Sequence, residues 1–254
     1  MNKLEWLIAF RYLGAQRKSL FVSLIGIFSL LGVSIGVFAL VVALAAVNGF
    51  EEEVTAQMIG KDAHVDVLSY DGEPFGAYEE LISEVKKADS TVVAVAPYLV
   101  YKMGISSRKV NDGVVIYGID PERSKQVVDI HQKIRWGHYS VDSLPDMGGT
   151  LRPGVILGIG LANRLRVVVG DKIVLQTFQS PDAMLASGGP KMMQAVVSGI
   201  FETGMYEYDA NLVYVGIPEM QKLLGIGDKV TGLQIRVKDF WKASETVTKL
   251  SESL

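Results

Sequence analysis

An uninterrupted apolar run near the start of the chain is its most constraining feature. From Leu20 to Val47 the chain reads LFVSLIGIFSLLGVSIGVFALVVALAAV, 28 residues without a charge, Pro, Asn or Gln. As an α-helix the run would be ~42 Å long at ~1.5 Å per residue, which exceeds the ~30 Å hydrocarbon core of a bilayer. The run therefore predicts a membrane-spanning helix.

Two other interpretations of the run are possible. A buried helix of a soluble protein is rarely apolar on every face over such a length. A cleaved signal peptide is the stronger rival, since Ala43, Ala45 and Ala46 resemble the small residues of a cleavage site. A signal sequence, however, has an apolar core of only ~7 to 15 residues, so the length of the run favours a retained anchor.

The flanking charges indicate an orientation. Residues 1–18 carry four basic side chains and one acidic one, a net charge of +3, whereas Glu51, Glu52 and Glu53 follow the run. Basic residues concentrate on the cytoplasmic side of membrane helices, so we expect a cytoplasmic N-terminus. Residues 1–18 also mix apolar and basic side chains, which favours a cytoplasmic interfacial helix, although an ordinary juxtamembrane leader fits as well.

The helix itself carries two further signals. Gly32 and Gly36 form a GxxxG pair that would let another membrane helix approach closely. Beyond the apolar run, Phe50, Val54 and Met58 recur every four residues, which predicts that the helix continues as a stalk. We therefore expect one membrane helix with its stalk over residues 19–59.

The remaining residues, 60–254, predict a folded α+β domain. Residues 19–254 carry a net charge of about −6, given the total of −3, which argues against nucleic-acid binding. The chain has no cysteine, so disulfides and thiol chemistry are excluded. Strand patterns cover 64–70, 91–107, 111–120, 191–204, 211–217 and 232–239, and helical patterns cover 78–89, 160–165, 218–225 and 240–250. Asn111-Asp112-Gly113 is interpreted as a turn, residues 179–190 as a long hairpin loop, and the domain as two mixed α/β subdomains.

Two common motifs of catalysis and cofactor binding are missing from the sequence. It contains no GxxxxGK[ST] phosphate loop and no HExxH. Gly158-Ile159-Gly160 is similar to a dinucleotide loop, but Asn163 stands at the third glycine position. Glu207 and Asp209 are better explained by a turn or an interface than by acid-base chemistry. We expect no catalytic residue, cofactor or metal in this chain.

Two segments resemble the LolC/LolE permeases of lipoprotein-releasing ABC systems, in the MacB-like permease superfamily. The first runs from Arg11 through the apolar helix to Asn48-Gly49-Phe50 and resembles the opening of those permeases. The second, residues 196–215, is similar to the segment after their long periplasmic loop. Its most specific part comprises Gly204, Met205, Tyr206, Glu207, Tyr208 and Asp209.

The resemblance implies an inner-membrane, non-catalytic permease subunit with its main domain in the periplasm. Such permeases have four membrane helices, one before and three after a MacB-like periplasmic domain, so this chain is expected to be a piece of a longer protein. They work with a LolD-like cytoplasmic ATPase, a second permease subunit forming a homodimer or heterodimer, lipoprotein cargo, membrane lipid and the soluble carrier LolA.

The resemblance also implies two sites. Lipoproteins enter between the first helices of two subunits, which suggests a role for Gly32, Gly36, Asn48, Gly49 and Phe50. A projecting loop recruits the carrier, and the matching residues are Gln179, Ser180, Pro181, Met184, Leu185 and Pro190.

Three alternatives remain open at this point. A MacB-like efflux or mechanotransmission subunit would engage an outer-membrane channel instead of the carrier. An FtsX-like signalling permease would bind a cell-wall hydrolase or its activator, although the segment 204–209 argues against it. A secreted enzyme with an uncleaved anchor would need an active site that the sequence does not contain.

Overall fold

A long N-terminal helix, α1, spans Leu20–Ile59 and accounts for most of the first of two units, residues 1–57. The computed structural model describes residues 20–59, 63–108, 110–146, 148–178 and 189–253, with positions 4, 7, 8 and 11. The stretch Leu24–Phe50, 27 residues of mean hydropathy 2.7, is long and apolar enough to cross a membrane, and none of it is buried. This confirms the helix that the apolar run predicts.

The N-terminal segment is described at only four positions. Leu4, Leu7, Ile8 and Arg11 have helical backbone, and all four side chains are exposed. The interfacial helix over residues 1–18 stays a prediction, as do the domain limits 19–59 and 60–254.

The second unit, residues 58–254, is α+β. Its strands are β1 (Val65–Leu68), β2 (Val92–Ser106), β3 (Asn111–Ile119), β4 (Ile134–Gly137), β5 (Ser143–Pro145), β6 (Leu151–Gly158), β7 (Lys172–Thr177), β8 (Met192–Phe201), β9 (Leu212–Gly216) and β10 (Gly232–Val237). Its helices are α2 (Tyr78–Ala88), α3 (Pro121–Val127), α4 (Ile159–Leu165), α5 (Tyr206–Asn211), α6 (Ile217–Leu224) and α7 (Ala243–Ser253), with 3₁₀ turns at Asp129–Lys133 and Phe240–Lys242.

Six strands close into a ring, which we call the ring lobe. The pairings run from β2 to β3, β9, β6, β8 and β7, and β7 pairs again with β2. All six strands contribute to one apolar core, represented by Met103, Ile116, Leu157, Leu175 and Val197. The alternation of inward apolar residues makes this core possible, because successive side chains of a strand point to opposite faces.

The 15-residue strand β2 joins the ring lobe to a second lobe. Its final residues, 103–106, pair with β7, whereas residues 92–98 pair with β10, which in turn pairs with β1. Helices α2 and α7 cover these three strands, and Val85, Ile235 and Leu250 belong to their separate core. This small lobe and the ring lobe are the two mixed α/β subdomains that the sequence predicts.

Two local predictions need correction. Asn111, Asp112 and Gly113 are not a turn, because they are the first residues of β3 and Gly113 pairs with Gly104. The turn lies just before them, where the N–H of Ser107 donates to the carbonyl of Val110 at 2.9 Å. Helices α3 and α5, of seven and six residues, were not predicted.

Candidate functional site

The exposed surface of α1 carries the first set of predicted site residues. Gly32, Gly36, Asn48, Gly49 and Phe50 all lie on this helix, and the Phe50 side chain is 72% exposed. A Cβ added at Gly32 or Gly36 would meet no atom of the described residues within 4 Å.

The hairpin β7–β8 holds the second set. Gln176 pairs with Met192, and beyond this pair the N–H of Thr177 donates to the Lys191 carbonyl at 3.0 Å. The N–H of Lys191 donates in return to Thr177 Oγ1 at 3.2 Å. These bonds confirm a hairpin whose loop begins after Thr177. Gln179, Ser180, Pro181, Met184 and Leu185 lie outside the described residues, and half-buried Pro190 is the one predicted loop residue within them.

The root of this loop is fixed to the ring lobe. Lys191 Nζ donates to the carbonyl of Leu224, the last residue of α6, at 2.9 Å. A cation at a helix C-terminus also interacts favourably with the helix dipole. A groove of about 720 Å³ beside the root is lined in part by Lys191, Met192 and Lys222. Phe178 and Met192, at the two ends of the hairpin, are exposed.

The segment 204–209 is built around a buried carboxylate. Asp209 Oδ1 accepts from the N–H and the hydroxyl of Thr203, at 2.7 and 2.9 Å, and Oδ2 accepts from the N–H of Gly204 at 3.0 Å. Gly204 has φ of +80°, a conformation that favours glycine. Tyr206 and Glu207, by contrast, are exposed. Asp209, which itself lies in α5, therefore shapes the connection from β8 to α5.

Two glycines bring α4 close to this segment. A Cβ at Gly158 would clash with the carbonyl oxygen of Asp209, and one at Gly160 would lie 3.2 Å from Cα of Ala210. Arg164 on α4 donates to the Ala210 carbonyl at 2.6 Å and pairs with Asp112 at 2.8 Å. The Gly-Ile-Gly sequence thus serves close packing between α4 and α5.

Two buried carboxylates outside the predicted sites stabilise the fold. Asp146 contacts Arg152 at 2.7 Å and Lys172 at 2.8 Å, and the Lys172 ammonium and Arg152 guanidinium hold the pKa of Asp146 far below its usual range. Asp89, after α2, accepts from the N–H of Thr91 at 2.9 Å and from the hydroxyl of Thr246 on α7 at 3.0 Å. The Thr91 N–H is the main cause that lowers the pKa of Asp89 to about 2.

Among the described residues, no group of three or more His, Asp or Glu side chains is arranged to hold a metal ion. The predicted sites therefore consist of surfaces: the apolar face of α1, the β7–β8 hairpin and the exposed side of segment 204–209.

Comparisons with known proteins give the family. A family model described as the MacB-like periplasmic core domain matches residues 27–252. The lipoprotein-releasing system transmembrane protein LolC of Xylella fastidiosa is 31% identical over 256 residues, which cover 100% of this chain and 59% of that protein. LolC of Neisseria meningitidis is 30% identical, with 94% and 55% covered, and LolE of Haemophilus influenzae is 24% identical, with 93% and 55% covered.

Solved structures with similar folds were also found. The extracellular domain of the noncanonic ABC-type transporter YknZ from Gram-positive bacteria has a TM-score of 0.47 at 14% identity, with 70% of this chain and 81% of that one covered. The periplasmic region of MacB from Actinobacillus actinomycetemcomitans has a TM-score of 0.44 at 11% identity, with 67% and 71% covered.

The chain spans somewhat more than half the length of the curated relatives it matches. The family model covers most of the chain, from within α1 to the last turn of α7. The chain therefore belongs to the MacB-like periplasmic core domain family, as a member of the LolC/LolE type.

Proposed function

We propose that this chain is part of the permease subunit of an ABC transporter that extracts lipoproteins from the inner membrane and passes them to a periplasmic carrier. The observation that carries the proposal is the 31% identity to a lipoprotein-releasing transmembrane protein over 100% of the chain. The order of elements agrees with it, since an apolar helix precedes the MacB-like domain.

The energy for release would come from a LolD-like ATPase, as the resemblance to the LolC/LolE permeases implies. The role of this chain is then mechanical. Helix α1 supports that role, since it continues without a break from the apolar stretch through Glu51–Glu53 to Ile59. A continuous helix can transmit a displacement along its axis, and 40 residues correspond to ~60 Å.

The placement in the inner membrane follows from the charge distribution. The net charge of +3 before the apolar run and the three glutamates after it favour a cytoplasmic N-terminus. The unit 58–254 would then lie in the periplasm. A second permease subunit would pack against α1. Gly32 and Gly36, which have no Cβ, support close approach there.

The carrier site is proposed at the β7–β8 hairpin. Its root is held to the ring lobe by the hydrogen bond from Lys191 Nζ to the Leu224 carbonyl. Exposed Phe178 and Met192 add apolar surface beside the loop, and methionine adapts well to partner surfaces. A LolA-like carrier that engages Met184 and Leu185 would also contact this surface.

A release assay tests the main proposal. The full-length permease and its ATPase are reconstituted in proteoliposomes with a lipoprotein, and the soluble lipoprotein is measured. Release is expected only when both ATP and the carrier are present. As a control, the same carrier is shown to be active with a known transporter. Hydrolysis of ATP without release of the lipoprotein would then exclude the proposal.

Photocrosslinking tests the carrier site and separates the alternatives. A photoreactive amino acid is placed at position 184 or 185 of the full-length permease in intact envelopes, and at exposed Trp136 on β4 as a control. Capture of a LolA-like carrier from 184 and 185 but not from 136 is expected. Capture of an outer-membrane channel would favour the MacB-like efflux function, and capture of a hydrolase activator would favour the FtsX-like one.

A further inference from the structure

A small pocket lies on the face of the sheet opposite the core of the ring lobe. It has a volume of about 170 Å³ and lies between α3, which contributes Ser124, and α5, which contributes Glu207 and Tyr208. The sheet forms its floor through Tyr117 on β3, Tyr214 on β9 and Gln234 on β10.

Three tyrosines belong to the lining, together with aliphatic Ile119, Val128 and Leu212. Tyr117 and Tyr214 lie side by side at paired positions of the parallel strands β3 and β9, with ring centroids 5.8 Å apart. The row continues on both sides, since Tyr98 stacks on Tyr117 at 6.0 Å and Phe201 meets the edge of Tyr214 at 5.6 Å. Neighbouring rings hold Tyr117 and Tyr214 in place, so the pocket is shaped before any ligand arrives. Tyr208 supplies a third ring from α5.

The charge around the pocket is negative. Glu207 is the one charged side chain among the described residues that line it, and it is exposed at the rim. The nearest basic group on β10, Arg236, is engaged by Asp129 at 3.0 Å. Burial raises the pKa of the Tyr98 hydroxyl, and the charge of Asp66 raises it further. An anion would therefore meet a carboxylate and no opposing cation at this site.

Three tyrosine rings with one carboxylate form the kind of lining that recognises organic ammonium groups. The negative faces of aromatic rings attract a cation, and desolvation strengthens this attraction. The volume is below the ~300 to 1,000 Å³ of pockets for drug-sized ligands, so only a small group would be enclosed. The geometry points to a binding site for a small organic ammonium group, held between Tyr117, Tyr208 and Tyr214 with Glu207 at the entrance. This inference is independent of the proposed transport function.

Calorimetric titration of the full chain in a neutral detergent tests the site, with choline as the probe. Saturable binding with a Kd of about 1 mM is expected for one enclosed ammonium group. The control ligand is 3,3-dimethyl-1-butanol, which has the shape of choline without its charge. Equal binding of both ligands, or no saturable binding of choline, would overturn the inference.

Matched variants locate the site. Glu207→Gln should weaken choline binding several-fold, whereas Glu84→Gln, which changes an exposed carboxylate on α2, should leave it unchanged. Tyr208→Leu should weaken binding about tenfold and Tyr208→Phe should preserve it, because the ring and not the hydroxyl attracts the cation. If Tyr208→Leu unfolds the protein, the comparison of Glu207→Gln with Glu84→Gln and the comparison of choline with 3,3-dimethyl-1-butanol still test the site. Unchanged binding in Glu207→Gln together with Tyr208→Leu would overturn the assignment.

The same titration distinguishes an ammonium group of a lipid headgroup from that of a free small molecule. Glycerophosphocholine carries the choline group together with the phosphate of a lipid headgroup. Binding of glycerophosphocholine at least as tight as that of choline would identify a lipid headgroup as the source. Binding of choline without binding of glycerophosphocholine would indicate a free organic ammonium ion, since Glu207 would repel the phosphate.

Discussion

The carboxylate of Asp209 accepts two hydrogen bonds from Thr203, one from its N–H at 2.7 Å and one from its hydroxyl at 2.9 Å. Both residues are buried, and the third bond of the carboxylate, from the N–H of Gly204, completes the turn between β8 and α5. The most specific sequence element of this chain is thus organised by an acidic residue that faces inward, while Tyr206 and Glu207 stay exposed.

Asp209→Asn should therefore destabilise the protein. An amide has one oxygen, so its NH₂ group would face a backbone N–H that now donates to the carboxylate. The loss of one buried partner costs about 1 to 3 kcal/mol of the free energy of unfolding. Urea unfolding of the full chain in detergent, followed by near-ultraviolet circular dichroism, measures this. Glu207→Gln should change it by less than about 0.5 kcal/mol, and equal effects of the two substitutions would contradict the argument.

Gly158→Ala should disturb the contact between α4 and α5. The new methyl group would clash with the carbonyl of Asp209, a backbone atom that cannot rotate away. We expect a loss of about 1 to 3 kcal/mol in the same unfolding measurement. Gly113→Ala on β3 is the control, because a Cβ there meets no atom within 4 Å. An unchanged free energy of unfolding in Gly158→Ala would show that α4 and α5 can move apart without cost.

The sequence predicts elements of this fold better than it predicts their assembly. The apolar run of α1 and the strand patterns at β2 and β10 are local, and the structure confirms a helix and two strands there. The pairing of residues 103–106 with β7, some 70 positions away, leaves no local signal. The same holds for Asp209, whose inward orientation depends on the turn at Gly204 and on the unpredicted helix α5.

The two proposed functional surfaces differ in the same way. The loop 179–190 is visible in the sequence because Pro and Gly interrupt two strands. The aromatic pocket is not, since Tyr117, Tyr208 and Tyr214 belong to three elements and meet only through the parallel pairing of β3 and β9. Within β3 and β9, Tyr117 and Tyr214 each stand in a pattern that is typical of any sheet face.

The orientation of the chain can be tested by cysteine labelling, since the sequence has no cysteine of its own. Lys18→Cys places a single thiol before α1, and Ser90→Cys places one at an exposed position after α2. A membrane-impermeant maleimide added to spheroplasts should label Ser90→Cys at once and Lys18→Cys only after the membrane is disrupted. The reverse pattern would contradict the orientation argued from the flanking charges.

Acid should weaken the small lobe through Asp89. The pKa of Asp89 is about 2 in the folded protein, and that of an unfolded Asp is about 3.9. Because the folded value is lower, its stabilisation is complete above about pH 4 and is lost as the pH falls toward about 2.

Asp89→Asn should therefore lower Tm by a few degrees above that window and by progressively less within it. Thermal unfolding at a series of pH values measures this difference. Glu84→Gln, the exposed carboxylate on the same lobe, should follow the wild-type curve at every pH. A constant difference between Asp89→Asn and wild type across the window would show that ionisation of Asp89 does not matter.

The glycine pair of α1 offers the test of subunit contact. Gly32→Leu or Gly36→Leu places a bulky side chain where close helix approach is proposed, and it causes no clash within this chain, since the added Cβ meets no atom within 4 Å. Association of full-length permease subunits in bicelles, measured by energy transfer between labelled copies, should weaken several-fold, in line with ~1 kcal/mol for contacts between membrane helices. Ser34→Leu changes a small residue on another side of the helix and should leave association intact. If all three variants associate equally well, these glycines lie toward lipid and the proposed entry site between first helices lies on a different face of α1.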